Sequence, residues 1–332
     1  MFIEYQEKRF KRAEMNTLSV CMITYNHEFY IREAIESVIK QKTSFRIELV
    51  IGEDCSTDKT RDICILYKAK YPDKIELILN KYNLGAKNNF INILNNCQGK
   101  YIAICEGDDY WTDPHKLQKQ VEFMEANPDY GLVFSDADHY HEREGKLICG
   151  YDKTFRRKIP TGDVLSVLLQ GINPYKTCTS VFRSKFIKEY EEISKKYSFK
   201  LGDYILWLLI AGKSKIGYIN ESTAVYRIRD NSASHSDELE GFLKFHKSVY
   251  KAILFFSSYY DRLLERKKYK QILKKSILIY CASKKKYKQL FYYARCFPLA
   301  IAAILKEFLR DLIVWVTNRK ISLIRQSCRW TD

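Results

Sequence analysis

The stretch Tyr101-Ile-Ala-Ile-Cys-Glu106-Gly107-Asp108-Asp109-Tyr110-Trp111 constrains this chain more than any other. A short apolar run with β-branched and aromatic residues, ended by glycine, is the pattern of a buried strand. Three carboxylates then follow within four residues. In an open α/β sheet, ligands bind beyond the C-terminal ends of the strands. Acids crowded there repel one another unless positive charge sits among them. Hard oxygen donors suit Mg2+ or Mn2+, and such a cation keeps some positions for water and substrate phosphates. The stretch therefore points to a metal–diphosphate site. The plainer alternative is a solvated acidic turn.

The surrounding pattern favours the first reading. Leu18–Thr24 is a strand, Tyr25-Asn26-His27 a polar loop, and Ile31, Ala34, Ile35, Val38 and Ile39 recur at helical spacing. Phe45 to Ile51 is a second strand, ending in Gly52-Glu53-Asp54-Cys55-Ser56-Thr57-Asp58. Thr57 or Asp58 can cap the helix that follows. Ile75–Leu79 is a third strand, and Phe90, Ile91 and Leu94 mark a short helix before the acidic strand. Alternating strands and helices predict a parallel sheet with helices on both faces. Polar clusters after the first, second and fourth strands then share one sheet edge, where a single ligand could span them. Further on, Gly131–Phe134 is a strand running into Asp136 and Asp138, which could line a ligand pocket at the same edge or be solvated loop acids. Residues 139–160 suggest a hairpin. Gly202-Asp203 opens an apolar helix, and Ile216–Ile219 and Thr223–Ile228 read as two short strands.

Charge divides the chain. Residues 241–332 carry 21 Lys and Arg against 5 Asp and Glu, which accounts for the whole net charge of +16; residues 1–240 balance to zero. No strand pattern survives beyond about Ser236, so we expect a domain at 1–235 and a basic helical region at 236–332. The apolar run Pro298–Val316 is interrupted by Lys306, Glu307, Arg310 and Asp311. Four charges argue against a membrane span and for an amphipathic surface helix. The ten cysteines form no Cys-x-x-Cys pair, which disfavours zinc and fits a reducing cytoplasm. The N-terminal segment has no apolar core of the kind a signal peptide carries.

The first 235 residues or so resemble the family-2 inverting glycosyltransferases of GT-A fold, of the bacterial cell-surface polysaccharide type. The matching segments come in the family's order: Ser19-Val-Cys-Met-Ile-Thr24-Tyr25-Asn26; Ile51-Gly-Glu53-Asp54-Cys-Ser56-Thr57-Asp58; Asn83-Leu-Gly85 through Asn88; Gly99 to Asp109 with a DXD-like acidic end; and Gly202-Asp203 followed by Tyr226-Arg227. The implied fold is α/β, a GT-A (Rossmann-like), mostly parallel sheet flanked by helices, followed by the helical C-terminal region. Glu53, Lys87 and Glu106 depart from the family's commoner Asp, Arg and Asp. The Gln-x-x-Arg-Trp motif of processive synthases is missing, which implies one sugar added per encounter.

The resemblance implies roles. Asp109 is the expected direct ligand of Mg2+ or Mn2+. Asp108 contacts the ribose or metal-bound water, and Glu106 is either a third ligand or an acid behind it. Thr24, Tyr25, Asn26 and Asn88 are expected around the donor nucleotide. Glu53 or Asp54 would accept the ring N–H of a base; an ionised carboxylate accepts but does not donate, which selects a base such as uracil. Asp58 is expected to cap its helix rather than touch ligand. Asp203 is the expected general base, with a helix cap as its structural alternative. Arg227, with Arg229, would meet the diphosphate, and His235 is a weaker candidate. The expected partners are a nucleoside-diphosphate sugar, a saccharide or lipid-linked saccharide acceptor, and an anionic membrane surface at the inner face of the cell membrane.

Two other functions compete. Sugar-nucleotide nucleotidyl transfer would want a Gly-rich phosphate loop after the first strand, where Tyr25-Asn26-His27-Glu28 stands instead. A nucleic-acid binder could use lysines interleaved with Tyr269, Tyr280, Tyr287, Tyr292 and Tyr293. A basic surface facing anionic lipid explains the same residues, so no nucleic-acid partner is expected.

Overall fold

The structure, a computed structural model, describes residues 17–155, 158–197, 199, 202–229 and 239–262, with a few positions between 271 and 278. Four strands, β1 (Leu18–Thr24), β2 (Ile47–Glu53), β3 (Ile75–Leu79) and β4 (Tyr101–Ile104), run parallel. Helices α1 (Ile31–Ile39), α2 (Thr60–Lys70) and α3 (Ala86–Leu94) connect them. The sheet continues through β5 (Tyr110–Trp111), β6 (Tyr130–His141), β7 (Lys146–Ile148), β8 (Val181–Arg183) and β9 (Lys215–Ile228). Its order is β3-β2-β1-β4-β8-β6-β9-β5, with β7 on β6. The first half is parallel, as expected; β8 is antiparallel to β4 and to β6, and β9 returns parallel to β6.

Strand periodicity explains the two cores. In β1, Leu18, Val20 and Met22 face one layer and Cys21 the other; in β2, Leu49 and Ile51 oppose Val50. Both faces are covered, so these strands are apolar throughout instead of alternating with polar residues. The first layer packs α1, α2 and α4 (Lys116–Ala126). The second packs α3, α6 (Leu165–Leu168), α7 (Ile187–Lys196) and α8 (Gly202–Ala211); in α8, residues Tyr204 to Ala211 are all buried. A helix apolar all round belongs in a core.

Two boundaries differ from the sequence reading. The strand from Gly131 runs on to His141, so Asp136 and Asp138 lie inside β6 and not in a loop. The two expected short strands at 216–228 are one strand, β9, absorbed by register shifts opposite Ser135–Ala137. Such bulges keep a ladder while re-aiming its side chains. Helix α9 (Leu239–Tyr259) also buries Ala252, Ile253 and Phe256 in the second core, and the Tyr260 hydroxyl donates to the Leu209 carbonyl at 3.1 Å. The start of the region beyond 235 thus packs on the body of the preceding domain. Apart from Lys274, the basic residues beyond Arg262, and the expected surface helix at Pro298–Val316, lie outside the described residues.

One core residue was unforeseen. Lys116 is fully buried, with Nζ donating to Gln120 Oε1 at 2.6 Å and lying 4.4 Å from the Trp111 ring centroid. Burial pulls its ammonium down to about 7. The unfolded chain, with Lys near about 10.4, therefore holds more protons between those values. Stability should rise as pH rises from about 7 to about 10. Lys116→Met should raise the unfolding temperature most below pH 7, with the difference from wild type shrinking towards pH 10. Thermal melts across that range check it; a difference that does not vary with pH would show that the burial cost is not ionic.

Candidate active site

The loops after β1 and β2 are held to each other before any ligand is considered. Asn26 sits at φ +54°, a left-handed conformation that Asn tolerates, and its N–H donates to Ser56 Oγ at 3.0 Å. Asn26 Oδ1 accepts the Thr57 N–H at 2.9 Å, His27 N–H donates to Thr60 Oγ1 at 2.7 Å, and Glu28 N–H donates to Asp58 Oδ2 at 3.0 Å. Asp58 Oδ1 also accepts the Thr60 N–H at 2.9 Å, at the start of α2. Asp58 therefore serves as cap and brace. Tyr25 stands half-exposed at the rim, whereas Thr24 is buried at the end of β1.

Glu53 and Asp54 are both buried. Glu53 Oε1 accepts the Ser56 N–H at 2.6 Å, and Oε2 pairs with Arg61 Nε at 2.5 Å. Asp54 Oδ1 accepts Asn80 Nδ2–H at 2.9 Å and the Leu84 N–H at 2.8 Å; Oδ2 accepts the Gly85 N–H at 3.0 Å. In this conformation the two acids shape the loop 80–85, and a base N–H would have to use the lone pairs that remain. Asn88, on the same helix start, is exposed and donates to the Leu84 carbonyl at 2.9 Å.

The acidic loop reaches the same edge by a close approach. Gly107 N–H donates to the Ile23 carbonyl at 3.0 Å, and a Cβ on Gly107 would stand 2.6 Å from Thr24 Oγ1 and 3.0 Å from His27 Nδ1. Only glycine lets the acids press against the β1 loop. The three carboxylates then diverge. Asp109 points inward, where Oδ1 accepts the Arg227 N–H at 2.8 Å, a placement set by the pairing of β5 with β9. Asp108 meets Arg229 Nη2 at 2.6 Å, with His27 Nε2 at 3.9 Å. Arg227 donates to the Asp108 carbonyl at 2.5 Å, pairs with Glu33, and lies 4.6 Å from the Tyr110 ring centroid.

The electrostatics are lopsided. Burial, with Asp108 adding to it, pushes Asp109 up to about 8. Glu106 is pushed well above the usual carboxylate range by burial, then by Asp109 and Asp108, and to a smaller degree by Asp203. Glu106 Oε2 is buried without a hydrogen-bond partner. The His27 imidazole is held below its ordinary value by burial, with Arg229 adding to the effect and Asp108 opposing it. Negative charge on Glu106 and Asp109 is thus undercompensated. Among the described residues no group of three His, Cys, Asp or Glu side chains is placed to hold a metal ion by itself. A cation completed by water and phosphate does not need one.

Asp203 sits in the first turn of α8, half-buried. Its carboxylate accepts the Tyr204 N–H and the Thr177 hydroxyl, the latter at 3.5 Å, while burial raises its pKa. It therefore caps the helix and still lies within electrostatic reach of Glu106. Asp136 and Asp138 do not join the cluster. Asp136 accepts the N–H groups of Ala137, Asp152 and Lys153; Asp138 accepts the Gly150 N–H at 2.7 Å and Ser222 Oγ–H at 2.5 Å. They anchor the hairpin and α5 (Tyr151–Thr154) on β6 and β9, and as strand residues they are not solvated loop acids. His235 lies outside the described residues.

The sequence matches the model of glycosyl transferase family 2 over residues 19–189, more than half of the chain. The chain belongs to glycosyl transferase family 2. It is 34% identical over 219 residues to the uncharacterized protein Rv1520 of Mycobacterium tuberculosis, covering 66% of this chain and 61% of that one. It is 38% identical over 107 residues to the putative teichuronic acid biosynthesis glycosyltransferase TuaG of Bacillus subtilis, 32% of this chain and 41% of TuaG. The crystal structure of S. aureus TarS 1–349 in complex with UDP-GlcNAc superposes with a TM-score of 0.55 at 20% identity, covering 86% of this chain and 81% of that one. The fold is GT-A.

Several residues of this family-2 site escaped sequence reasoning. Arg61 neutralises Glu53, Asn80 and Asn89 tie Asp54 to the Gly52 carbonyl, and Glu33 pairs with Arg227. Their separations along the chain run from 8 residues for Arg61–Glu53 to 194 for Arg227–Glu33. No local pattern signals such pairs.

Proposed function

We propose that this family-2 protein moves one sugar from a nucleoside-diphosphate sugar, a UDP-sugar, to an acceptor hydroxyl with inversion. The observation that carries it is the buried, undercompensated pair Glu106 and Asp109 at the sheet edge, with Asp108 between them in sequence and Asp203 in electrostatic reach. The donor set is all hard oxygen, and an orphaned buried carboxylate oxygen is what a divalent cation would satisfy. Asp109, with Asp108 and Glu106, would hold Mg2+ or Mn2+. When bound, the cation supplies Lewis-acid stabilisation of the leaving diphosphate. The chain's own part is to place Arg227 and Arg229 beside the phosphates, to shape the base subsite with Thr24, Tyr25, Asn26, Glu53 and Asp54, and to take the acceptor proton at Asp203. Burial raises its affinity for protons above that of a free carboxylate, which strengthens it as a base. Glycosyl transfer is favoured over nucleotidyl transfer by the family and by the non-glycine loop after β1. A donor screen reading released nucleoside diphosphate, with and without Mn2+, tests the reading. No release with any sugar nucleotide in the presence of metal would overturn it.

The acceptor is proposed to be a saccharide of the cell surface, lipid-linked and met at the cytoplasmic face of the membrane through the basic region that begins at 236. Among the described residues no helix is long and apolar enough to span a bilayer. Each Lys or Arg near an anionic leaflet contributes about 1 kcal/mol, screened over about 8 Å at physiological salt. The full chain should sediment with anionic vesicles and partly release at high salt. A truncation after Arg262, which keeps α9 in the core, should stay in solution. Equal sedimentation of both would remove the tail from the account.

A further inference from the structure

Two arginines stand at the acidic loop, and the fold commits them differently. Arg227 is tied to fixed groups: the Asp108 carbonyl, Glu33, and the rings of Tyr30 and Tyr110, whose centroids lie 5.1 and 4.6 Å from its guanidinium carbon. Arg229 is committed instead to a carboxylate of the donor site. Its Nη2 meets Asp108 Oδ2 at 2.6 Å and His27 Nε2 at 3.1 Å. Arginine only donates, so His27 Nε2 accepts, and the imidazole carries its proton on Nδ1, 3.3 Å from Thr24 Oγ1. Burial, which holds this imidazole below its ordinary value, agrees with a neutral ring. His27 is itself fixed, because its backbone N–H donates to Thr60 Oγ1 at 2.7 Å. The Arg229 and Asp108 side chains are 20% and 19% exposed, open enough for a ligand to reach either partner. Two buried atoms of opposite sense are left over. Among the described residues, the Glu106 carboxyl oxygen Oε2 and the Arg229 donor Nε–H have no hydrogen-bond partner. A cation would satisfy the first and an anion the second.

We propose that Arg229 alternates between Asp108 and the donor diphosphate and so makes cation and diphosphate bind as a pair, with His27 as the positioning residue that holds it on Asp108. The inference rests on the glycosyltransferase reading of the site. Towards a cation alone, Arg229 is a competitor for the same carboxylate. Towards a diphosphate alone, Arg229 can turn only by leaving Asp108 unpaired beside like charge. With both, Arg229 takes the phosphates as Asp108 turns to the cation. One rearrangement then serves two ligands, so each strengthens the other by linkage. Arg227, held by backbone, ring and Glu33, stays in place throughout.

The test uses the full chain and three probes: Mn2+ alone, UDP alone in EDTA, and UDP with Mn2+. Arg229→Gln should bind Mn2+ alone about tenfold more tightly than wild type, and UDP with Mn2+ about tenfold more weakly, opposite signs from one substitution. Loss of any nearby positive charge would also favour Mn2+, so a double-mutant cycle separates the two causes. In EDTA, Asp108→Asn should tighten UDP about tenfold in the wild-type background, by freeing Arg229, and by less than about twofold in the Arg229→Gln background. His27→Leu changes no charge and keeps the backbone bond to Thr60; it should tighten Mn2+ alone about threefold. An Asp108→Asn effect on UDP that is equal in both backgrounds, or an unchanged Mn2+ affinity in Arg229→Gln, would overturn the exchange while leaving glycosyl transfer intact. An unchanged Mn2+ affinity in His27→Leu would overturn the part given to His27. A wild-type chain that binds no UDP with Mn2+ and releases no nucleoside diphosphate in the donor screen would instead overturn the glycosyltransferase reading, and the exchange with it.

Discussion

Asp109→Asn should cut transfer by on the order of 10²–10⁴-fold while the chain stays folded, since a cation supplies several kcal/mol of transition-state stabilisation and each 1.36 kcal/mol is tenfold. The substitution is nearly isosteric, and the Asn carbonyl can still accept the Arg227 N–H that Asp109 Oδ1 accepts at 2.8 Å. Without metal, the buried charge works against the fold. With Asp109 raised to about 8 and an unfolded value near about 3.9, the folded chain holds the extra proton, so its contribution is lost as pH climbs between them. Metal-free Asp109→Asn should therefore melt no lower than wild type at pH 7, and higher at pH 8. Adding Mn2+ and UDP should reverse the order, raising the wild-type melting temperature and leaving the variant's in place. Turnover equal to wild type at saturating Mn2+ would remove Asp109 from the metal site.

Asp203→Asn should be as damaging to transfer, by roughly 10²–10⁴-fold, through a different step. Asn caps helices as well as Asp, so the N-terminal turn of α8 should hold. What is lost is the capacity to take the acceptor proton. Mn2+–UDP affinity should stay within about twofold of wild type, because the base acts on the acceptor and not on the donor. The two variants thus separate by binding: Asp109→Asn loses the metal–nucleotide complex, and Asp203→Asn keeps it and stalls. If nucleotide affinity and melting temperature fall together in Asp203→Asn, the residue is a cap alone.

Much of this was legible before any coordinates. Alternation of apolar strands with amphipathic helices specified the parallel half of the sheet, because strands buried on both faces must read as continuous apolar runs and their crossovers must be helical. Parallel strands put their C-terminal loops on one side, which is why Asn26, Glu53, Asp54 and Asp109 could be assigned to one edge from spacing alone. Beyond β4 the reading weakened. The register of β6 on β9 and the antiparallel insertion of β8 depend on pairings between distant segments, and a bulge opposite Ser135–Ala137 has no local sequence mark. That is why spacing left Asp136 and Asp138 open between pocket and solvated-loop acids, whereas they bind backbone N–H groups inside a strand.

The residue types at the site, and the edge they share, were determined by the sequence itself. Which way each carboxylate faces was decided only by tertiary structure. Asp108 and Asp109 are neighbours in the chain, yet one meets Arg229 and the other the Arg227 backbone, because Gly107 lets the loop close on Thr24 and β5 pairs with β9. Burial does the rest: the same acids that would be ordinary in water are pushed towards protonation once the sheet and α8 enclose them, and that cost exists only in the folded chain.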